Sequence, residues 1–530
     1  MSEIGNDAPL AGYDAWRRSR LAERMRLSGG QRVWNHLITV VVYEGTAPGP
    51  EAMGRTLSSL QAQTYRNVEI VVAGASALLE PSDFASLRGL FVEQALDPLA
   101  LLSDPAADHL WRGSHLVFAS AGTTFDPDAF YLLNRMLSPL QERPPPDLIV
   151  CDHDRIDGTG PSPSPCFLPG WDPDLIVAMD YVDTAFMVSR KLILEQRSAK
   201  RSASLHEWLC HLANGNPVVG HLTEPVMHLP TSMPRPLAVA AVVGHPPARS
   251  IAIVIPNRDK PELLSRCVRF LEFIDIAELE VVIVDHASTD PATLALYAEL
   301  ETRHRARILR IDGRFNFSRM VNLGVAASTA EVVMLVNNDV EVTDSREVER
   351  MAGHAMRPEI GVVGARLLYA DHTVQHAGVV LQPGPNRELA VLAQHVLRGA
   401  ADRSDGYLHA LRTIRNYQAV TGAIIATRRA VFDQLGGFDE VSLPVESNDI
   451  DYCLRARAAG FRVISLPTEG IFHPESSTRG SGITLEVRRM RAAAMNLMAA
   501  RWGEAVDHDP FCNPHADMWD RPDAVFPWNR

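Results

Sequence analysis

The feature that most constrains this chain is an order of segments that occurs twice. Residues 37–73 run from the β-branched stretch LITVVVYEG, through a helix-like stretch ending LSSLQAQTYRNV, to the apolar run EIVVA. Residues 251–285 repeat that order as IAIVIPNRD, ELLSRCVRFLEF and ELEVVIVD. A short β-branched run, an amphipathic stretch and a second β-branched run form the pattern of a βαβ unit with parallel strands. At 530 residues the chain is also too long for one ordinary core. Two α/β domains in tandem, each with a mostly parallel central sheet, are therefore expected.

The stretch 230–249 (PTSMPRPLAVAAVVGHPPAR) is rich in proline at both ends and reads as the connection between them. This divides the chain into a helical extension (1–30), a first domain (31–240), a linker (241–249), a second domain (250–482) and a C-terminal helix and tail (483–530). DAWRRSRLAERMRLSGG and EVRRMRAAAMNLMAARWGE supply the two terminal helices, while the end, DPFCNPHADMWDRPDAVFPWNR, has no periodicity. No apolar run approaches the ~20 residues of a membrane span, and the acidic, polar start lacks a secretory core. A soluble, cytoplasmic protein is expected. The six cysteines have no CxxC spacing, which suggests buried free thiols rather than a zinc site or disulfide framework. A net charge of −13 disfavours nucleic-acid binding, although a divalent cation can still make a local phosphate site.

The chemistry concentrates in the second half. The strand Val332–Val336 runs into Asn337, Asn338, Asp339, Val340 and Glu341. Ligands bind at the carboxyl ends of strands in open α/β sheets, and hard carboxylate oxygens suit Mg²⁺ or Mn²⁺ bridging to substrate phosphates. The bland alternative is a solvated turn. VIVDHASTD brings Asp285 to another strand end, placed to accept hydrogen bonds from a base or ribose. PVESNDIDYCLRARAAGFRV places Asp449 and Asp451 at a helix start, where a capping role is the alternative for Asp449. FHPESSTRG brings together His473, Glu475 and Arg479.

Seven motifs in order, IVIPNRDKPELLSRCV, VIVDHASTDPATL, FNFSRMVNLGVAASTAEVVMLVNNDVEV, GVVGARLLYADHTVQHAGVV, VTGAIIATRRAVFDQLGGFDE, NDIDYCLR and HPESSTRG, resemble the family 2 glycosyltransferases, which have the GT-A fold. More narrowly, the chain resembles tandem bacterial enzymes of O-antigen and capsule assembly, often rhamnosyltransferases. The resemblance implies an inverting transfer from a nucleotide-diphosphate sugar (dTDP-, UDP- or GDP-linked) to a glycan or polyprenyl-linked acceptor, with peripheral contact at the inner membrane. It implies a divalent cation, Mn²⁺ or Mg²⁺, on Asp339, Glu341 and His473; nucleotide or substrate contacts from Pro256, Arg258, Asp285, Asn338, Asp451 and Arg455; and Asp449 as general base. The usual VDNGS or VDDGS reads VDHAS here, and the usual HHES reads HPES, which blurs nucleotide choice.

The first half keeps the pattern without the chemistry. Ala73 stands where Asp285 does, Ser120 to Thr123 replace the acidic motif, and Leu205 and Glu207 match Asp449 and Asp451. Asp152, His153, Asp154 and Asp157 read either as a metal cluster or as an acidic loop. A non-catalytic GT-A-like domain that supports the second or holds acceptor is expected. A glycan-binding scaffold would predict decay in both halves. A nucleotidyltransferase would need a Gly-rich, basic phosphate loop where IPNRDK stands.

Overall fold

A computed structural model describes residues 12–27, 35–45, 49–73, 90–93, 99–138, 144–156, 163–197, 202–213, 215, 217–231, 246–383, 391–474, 485–518 and 521–527. The chain divides into two compact units: Met1–Ala241 with Cys512–Asp517 and Val525–Arg530, and Val242–Phe511 with Met518–Ala524. Among the described residues no helix is long and apolar enough to cross a membrane.

The strands of the first unit are β1 (Ile38–Tyr43), β2 (Val68–Ala73), β3 (Leu90–Glu93), β4 (His115–Ser120), β5 (Thr124–Phe125), β6 (Leu148–Arg155), β7 (Ser164–Cys166), β8 (Phe186–Ser189) and β9 (Val219–Leu229). They lie in the order β3-β2-β1-β4-β8-β6-β9-β5, with β7 beside β6. The second unit contains β10 (Ser250–Asn257), β11 (Glu278–His286), β12 (Arg307–Ile311), β13 (Val332–Val336), β14 (Glu341–Val342), β15 (Ile360–Ala365), β16 (Leu367–Leu368), β17 (Val374–His376), β18 (Val379–Pro383), β19 (Val391–His395), β20 (Arg415–Asn416), β21 (Ile424–Arg428), β22 (Arg462–Leu466) and β23 (Ile471–Phe472). Its main sheet has the order β12-β11-β10-β13-β21-β15-β22-β20. The β1–β2 pair and the β10–β11 pair are both parallel and in continuous register, which is the repeated βαβ pattern read from the sequence.

Both sheets are mixed rather than mostly parallel. In the second unit β21 runs antiparallel to β13 and to β15, and β20 antiparallel to β22. In the first, β8 opposes both β4 and β6. The reason is local: β21 is entered from the turn at Thr421–Ala423, without a preceding crossover helix, and leaves into the helix Arg429–Leu435. Strand composition carries no direction, so only the connections could have revealed this.

The strands of β10, β11, β13 and β21 are buried on both faces. Ile251, Ile253, Ile255, Ile283, Met334 and Ile424 line one core layer, while Val254, Val282, Val284, Leu335 and Ile425 line the other. Gly324, on the helix Phe317–Ala326, lies so close to the sheet that a Cβ there would sit 2.3 Å from Val254. The absence of a side chain lets that helix press onto β10 and holds the segment before it against the strand ends.

Parts of both terminal segments pack onto the first unit. Helix Tyr13–Leu27 sends Tyr13 Oη to Asp154 (3.0 Å), and its Arg24 guanidinium binds Asp126, Asp128 and Glu224. Near the C-terminus, Asn513 Nδ2 donates to Asp152 at 2.7 Å. Asp152, His153 and Asp154 are therefore neither a loop nor an open metal cluster. They lie on β6, fully buried, with Asp152 also accepting from Leu168 N–H and paired with His221, and Asp154 paired with His228. Asp157 lies outside the described residues.

Candidate active site

β10 and β13 end side by side, and the segments that follow them line a cavity of about 480 Å³. Pro256, Arg258 and Lys260 come from the β10 side, Asn338 and Asp339 from the β13 side, and Phe315 and Phe317 close it from the segment after β12. The loop after β10 is held in a strained shape, with φ of 49° at Asp259 and 60° at Lys260. The Asp259 carboxylate accepts from the N–H groups of Thr289 (2.8 Å) and Asp290 (3.0 Å), and those bonds lower its pKa. Ser288 Oγ in turn accepts from Asp259 N–H at 2.7 Å. Two strand-end loops are thus laced together beneath the cavity, with Arg258 and Lys260 at its wall.

Asp339 is 7% exposed, and its Oδ1 lies 3.3 Å from His473 Nε2. β14 explains the meeting, because Glu341 pairs with Phe472 and so carries the residue after β23 toward the end of β13. His473 Nδ1 is buried with no partner among the described residues. A carboxylate and an imidazole converging in this way, beside two basic side chains, fit a hard to borderline divalent cation whose other positions are filled by phosphate and water. Glu341 does not join them. Its side chain lines a separate cleft with Arg269, Phe270 and Phe273. Among the described residues no group of three or more His, Cys, Asp or Glu side chains is set to hold a metal, so the expected three-ligand set reduces to Asp339 and His473. Glu475 and Arg479 lie outside the described residues.

Asp449 is at the start of helix Asn448–Ala458, one residue beyond the first helical position; Ser447, with φ 60°, holds the N-cap position without a side-chain cap bond. Asp449 Oδ2 accepts from Gly422 N–H at 2.7 Å and Oδ1 from Ile450 N–H at 2.9 Å. A Cβ on Gly422 would lie 3.1 Å from that of Asp449, so glycine permits the approach. Burial pushes the Asp449 pKa up, against the opposing pull of those N–H donors. The cavity reaches Val445, four positions before Asp449 on the segment that enters the same helix.

Three expected substrate contacts are instead internal. Asp285 is fully buried: it accepts from Tyr297 Oη (2.8 Å) and Ser288 N–H and pairs with Arg310 Nε at 3.1 Å. Its carboxylate is saturated by Ser288 of the loop that follows and by Tyr297 and Arg310 on the next helix and strand, and it does not line the cavity. Asp451, also fully buried, binds Arg455 (2.8 Å), Arg501 (3.2 Å) and the Trp502 indole (3.1 Å), which ties its helix to Leu485–Asp507. Arg455 spends its other donors on the carbonyls of Leu435 and Gly437. Sequence reasoning missed Lys260, Phe315 and Phe317; the basic residue in IPNRDK and the aromatics of FNF were the available signals.

Residues 246–496 match the model of glycosyltransferase like family 2. This segment is a family 2 glycosyltransferase domain. The resemblance read from the seven motifs holds for it. Over longer stretches the chain is 28% identical to the O-antigen biosynthesis protein RfbC of Myxococcus xanthus, covering 96% of this chain and 43% of that protein. It is also 28% identical to an uncharacterized protein, y4gI, of Sinorhizobium fredii, covering 94% of this chain and 60% of that one. The chain therefore spans less than two thirds of the length of each of these relatives. A mannosyltransferase from Pyrobaculum calidifontis, solved with GDP-Man and Mn²⁺, overlaps 44% of this chain and 59% of its own at 18% identity, with a TM-score of 0.32.

In the first unit the positions that strand order sets beside those of Asp339 and His473 carry no metal-binding side chain. Aligning β4–β5 with β13–β14 puts Gly122 at the place of Asp339, and the pairing of Thr124 with His228, set beside that of Glu341 with Phe472, puts Leu229 at the place of His473. Gly122 has φ +97°, and a Cβ there would meet Pro230 at 3.1 Å. Leu205 opens a helix capped by Ser204, whose Oγ accepts from Glu207 N–H, while Glu207 Oε2 accepts from Ala203 N–H.

Proposed function

We propose that the second unit is an inverting, GT-A-type glycosyltransferase that moves a sugar from a nucleotide-diphosphate sugar to a hydroxyl of a glycan or lipid-linked glycan. The observation that carries the reading is the meeting of His473 with Asp339, which lines a cavity also walled by Arg258 and Lys260, inside a family 2 domain. In this reading Asp339 and His473 hold a divalent cation, Mn²⁺ or Mg²⁺, which when bound offsets the charge of the donor's diphosphate. Pro256, Arg258 and Asn338 contact the nucleotide, and the exposed faces of Phe315 and Phe317 supply apolar surface beside it.

Asp449 then takes the acceptor hydroxyl's proton. The acceptor oxygen forms its bond to the anomeric carbon as the bond from that carbon to the diphosphate oxygen breaks, and the proton ends on the carboxylate. A raised pKa suits this task, because a general base works best when its pKa lies closer to the working pH. The N–H bonds to both oxygens hold the carboxylate in place and leave a lone pair on each.

The domain boundaries belong to the same proposal: residues 31–240 are a non-catalytic partner that supports the second domain or holds acceptor, and 250–482 carry the chemistry. The name of the M. xanthus relative favours O-antigen, a cell-surface polysaccharide, as the product, and a place at the cytoplasmic face of the membrane rests on the motif resemblance. Rhamnose as the transferred sugar rests on the motif resemblance. The test is release of nucleoside diphosphate from dTDP-, UDP- and GDP-sugars by the whole chain, with and without Mn²⁺ or Mg²⁺. Release that depends on the cation and is lost in Asp339→Asn supports the proposal; no release from any donor overturns it.

A further inference from the structure

Glu341 stands outside the cation site, and the cleft it lines has chemistry of its own. The cleft measures about 320 Å³. Arg269 and Phe270 come to it from the 3₁₀ turn Val268–Glu272 and Phe273 from the next residue, while Glu341, Val342 and Ser345 form the facing side. The volume lies at the small end of the range for ligand pockets, about 300–1,000 Å³. Asp339 and Glu341 are two residues apart, so at most about 7 Å of backbone separates their Cα positions. The cleft is therefore a neighbour of the proposed reaction centre without being part of the donor cavity.

Phe270 and Val342, at 2% and 4% exposure, give it an apolar floor. Phe273, by contrast, is 72% exposed. Its backbone is held on both sides: its N–H donates to the Phe270 carbonyl at 3.0 Å, and its carbonyl accepts from Ser345 Oγ at 2.8 Å. The ring is thus kept at the rim, largely in water. One exposed apolar side chain is ordinary by itself. What distinguishes this one is its company. Among the described residues the side chains of Arg269 and Glu341 have no hydrogen-bond or ion-pair partner, although both line the same cleft. Asp344, the other acid there, is occupied by Arg346, which donates to its two oxygens at 2.9 and 2.6 Å.

That set of groups selects its ligand. A lone anion would meet Glu341 and a lone cation Arg269, whereas a neutral hydroxyl can donate to the carboxylate and accept from the guanidinium. Neighbouring hydroxyls on one ring can do both at once. The C–H face of the same ring can cover Phe273 and take its apolar surface out of water.

We propose that this cleft binds a sugar residue of the glycan acceptor, other than the one that reacts, by stacking it on Phe273 and hydrogen-bonding its hydroxyls to Glu341 and Arg269. The inference rests on the reading of the second unit as a glycosyltransferase that acts on a glycan.

The probes are the methyl glycosides of rhamnose, mannose, galactose and glucose, titrated into the whole chain and followed by saturation-transfer NMR. At least one should bind, with the same affinity whether or not Mn²⁺ and UDP, GDP or dTDP are present, because the two pockets are separate. Phe273→Ala should weaken that glycoside at least tenfold and leave Mn²⁺-dependent nucleotide binding intact; the ring is largely in water, so the fold does not depend on it. Glu341→Gln should weaken the glycoside about tenfold, the worth of one hydrogen bond to a charged group. If no glycoside binds, if binding survives Phe273→Ala, or if a nucleoside diphosphate displaces the glycoside, the inference is overturned while the donor reading stands. Loss of Mn²⁺-dependent nucleotide binding in Glu341→Gln would return that carboxylate to the cation and overturn the inference as well. Failure of every nucleoside diphosphate to bind the wild-type protein with Mn²⁺ overturns the donor reading and the inference with it.

Discussion

Replacing Asp449 by Asn isolates the proton-transfer step. Both carboxylate oxygens accept a backbone N–H, from Gly422 at 2.7 Å and Ile450 at 2.9 Å. An asparagine keeps one acceptor and sets an N–H₂ against the other donor, which costs about 1–3 kcal/mol of stability if that donor stays unpaired. Because burial raises the Asp449 pKa on folding, the wild-type protein gains from protonation. That gain is full below the unfolded pKa and is lost as pH rises through the folded one. The variant has no such term, so its deficit in melting temperature should be larger in acid than at neutral pH. Loss of the base should reduce turnover by about 10²–10⁴-fold, or roughly 2.7–5.5 kcal/mol of barrier, with nucleotide affinity preserved. The wild-type rate should fall on the acid side through a pKa above the ordinary carboxylate range. Nucleoside diphosphate release measured against pH, beside calorimetric titration of the nucleotide, reads all of this. Equal loss of affinity and turnover, or no loss of turnover, would refute the assignment.

Asp339→Asn should remove the cation dependence of nucleotide binding, as read by titration with and without Mn²⁺. Gly122→Asp should lower the melting temperature without creating an Mn²⁺ site in the first unit, because the residue needs φ +97° and its Cβ would meet Pro230 at 3.1 Å; a new Mn²⁺-dependent heat would show that this position still lines an open site. In the first unit, burial lowers the His228 pKa but the adjacent Asp154 and Asp126 more than reverse this, raising it to about 9. That stabilisation is complete below the unfolded value of about 6.5 and is lost as pH rises through 9. The first unit's melting temperature should therefore decline over that window, and His228→Gln should flatten the decline.

The repeated βαβ order was legible because its strands and helices differ in period; the cavity-wall position of Asp339 followed from its place at a strand end, and those of Pro256, Arg258 and Asn338 from the motif resemblance. What the sequence hid was which way side chains turn. Asp449 and Asp451 are two apart on a helix, so about 200° separates them, and one meets Gly422 while the other faces Arg501 and Trp502. The pairing of Asp451 with Arg455 was readable from its i,i+4 spacing. Asp285 has the sequence context of a ligand-facing carboxylate, yet its saturation depends on Tyr297 and Arg310, which lie 12 and 25 positions away on other elements. The antiparallel course of β21 and the return of residues 512–517 to the first unit left no periodic trace, because both are decided by tertiary contacts.

The central claim, that one of the two units carries a cation-dependent nucleotide site, is tested most directly by the stoichiometry of nucleoside diphosphate binding to the whole chain in saturating Mn²⁺. The account predicts one site per chain, present only with the cation and absent from Asp339→Asn. Two sites, or one site that survives in Asp339→Asn, would contradict it.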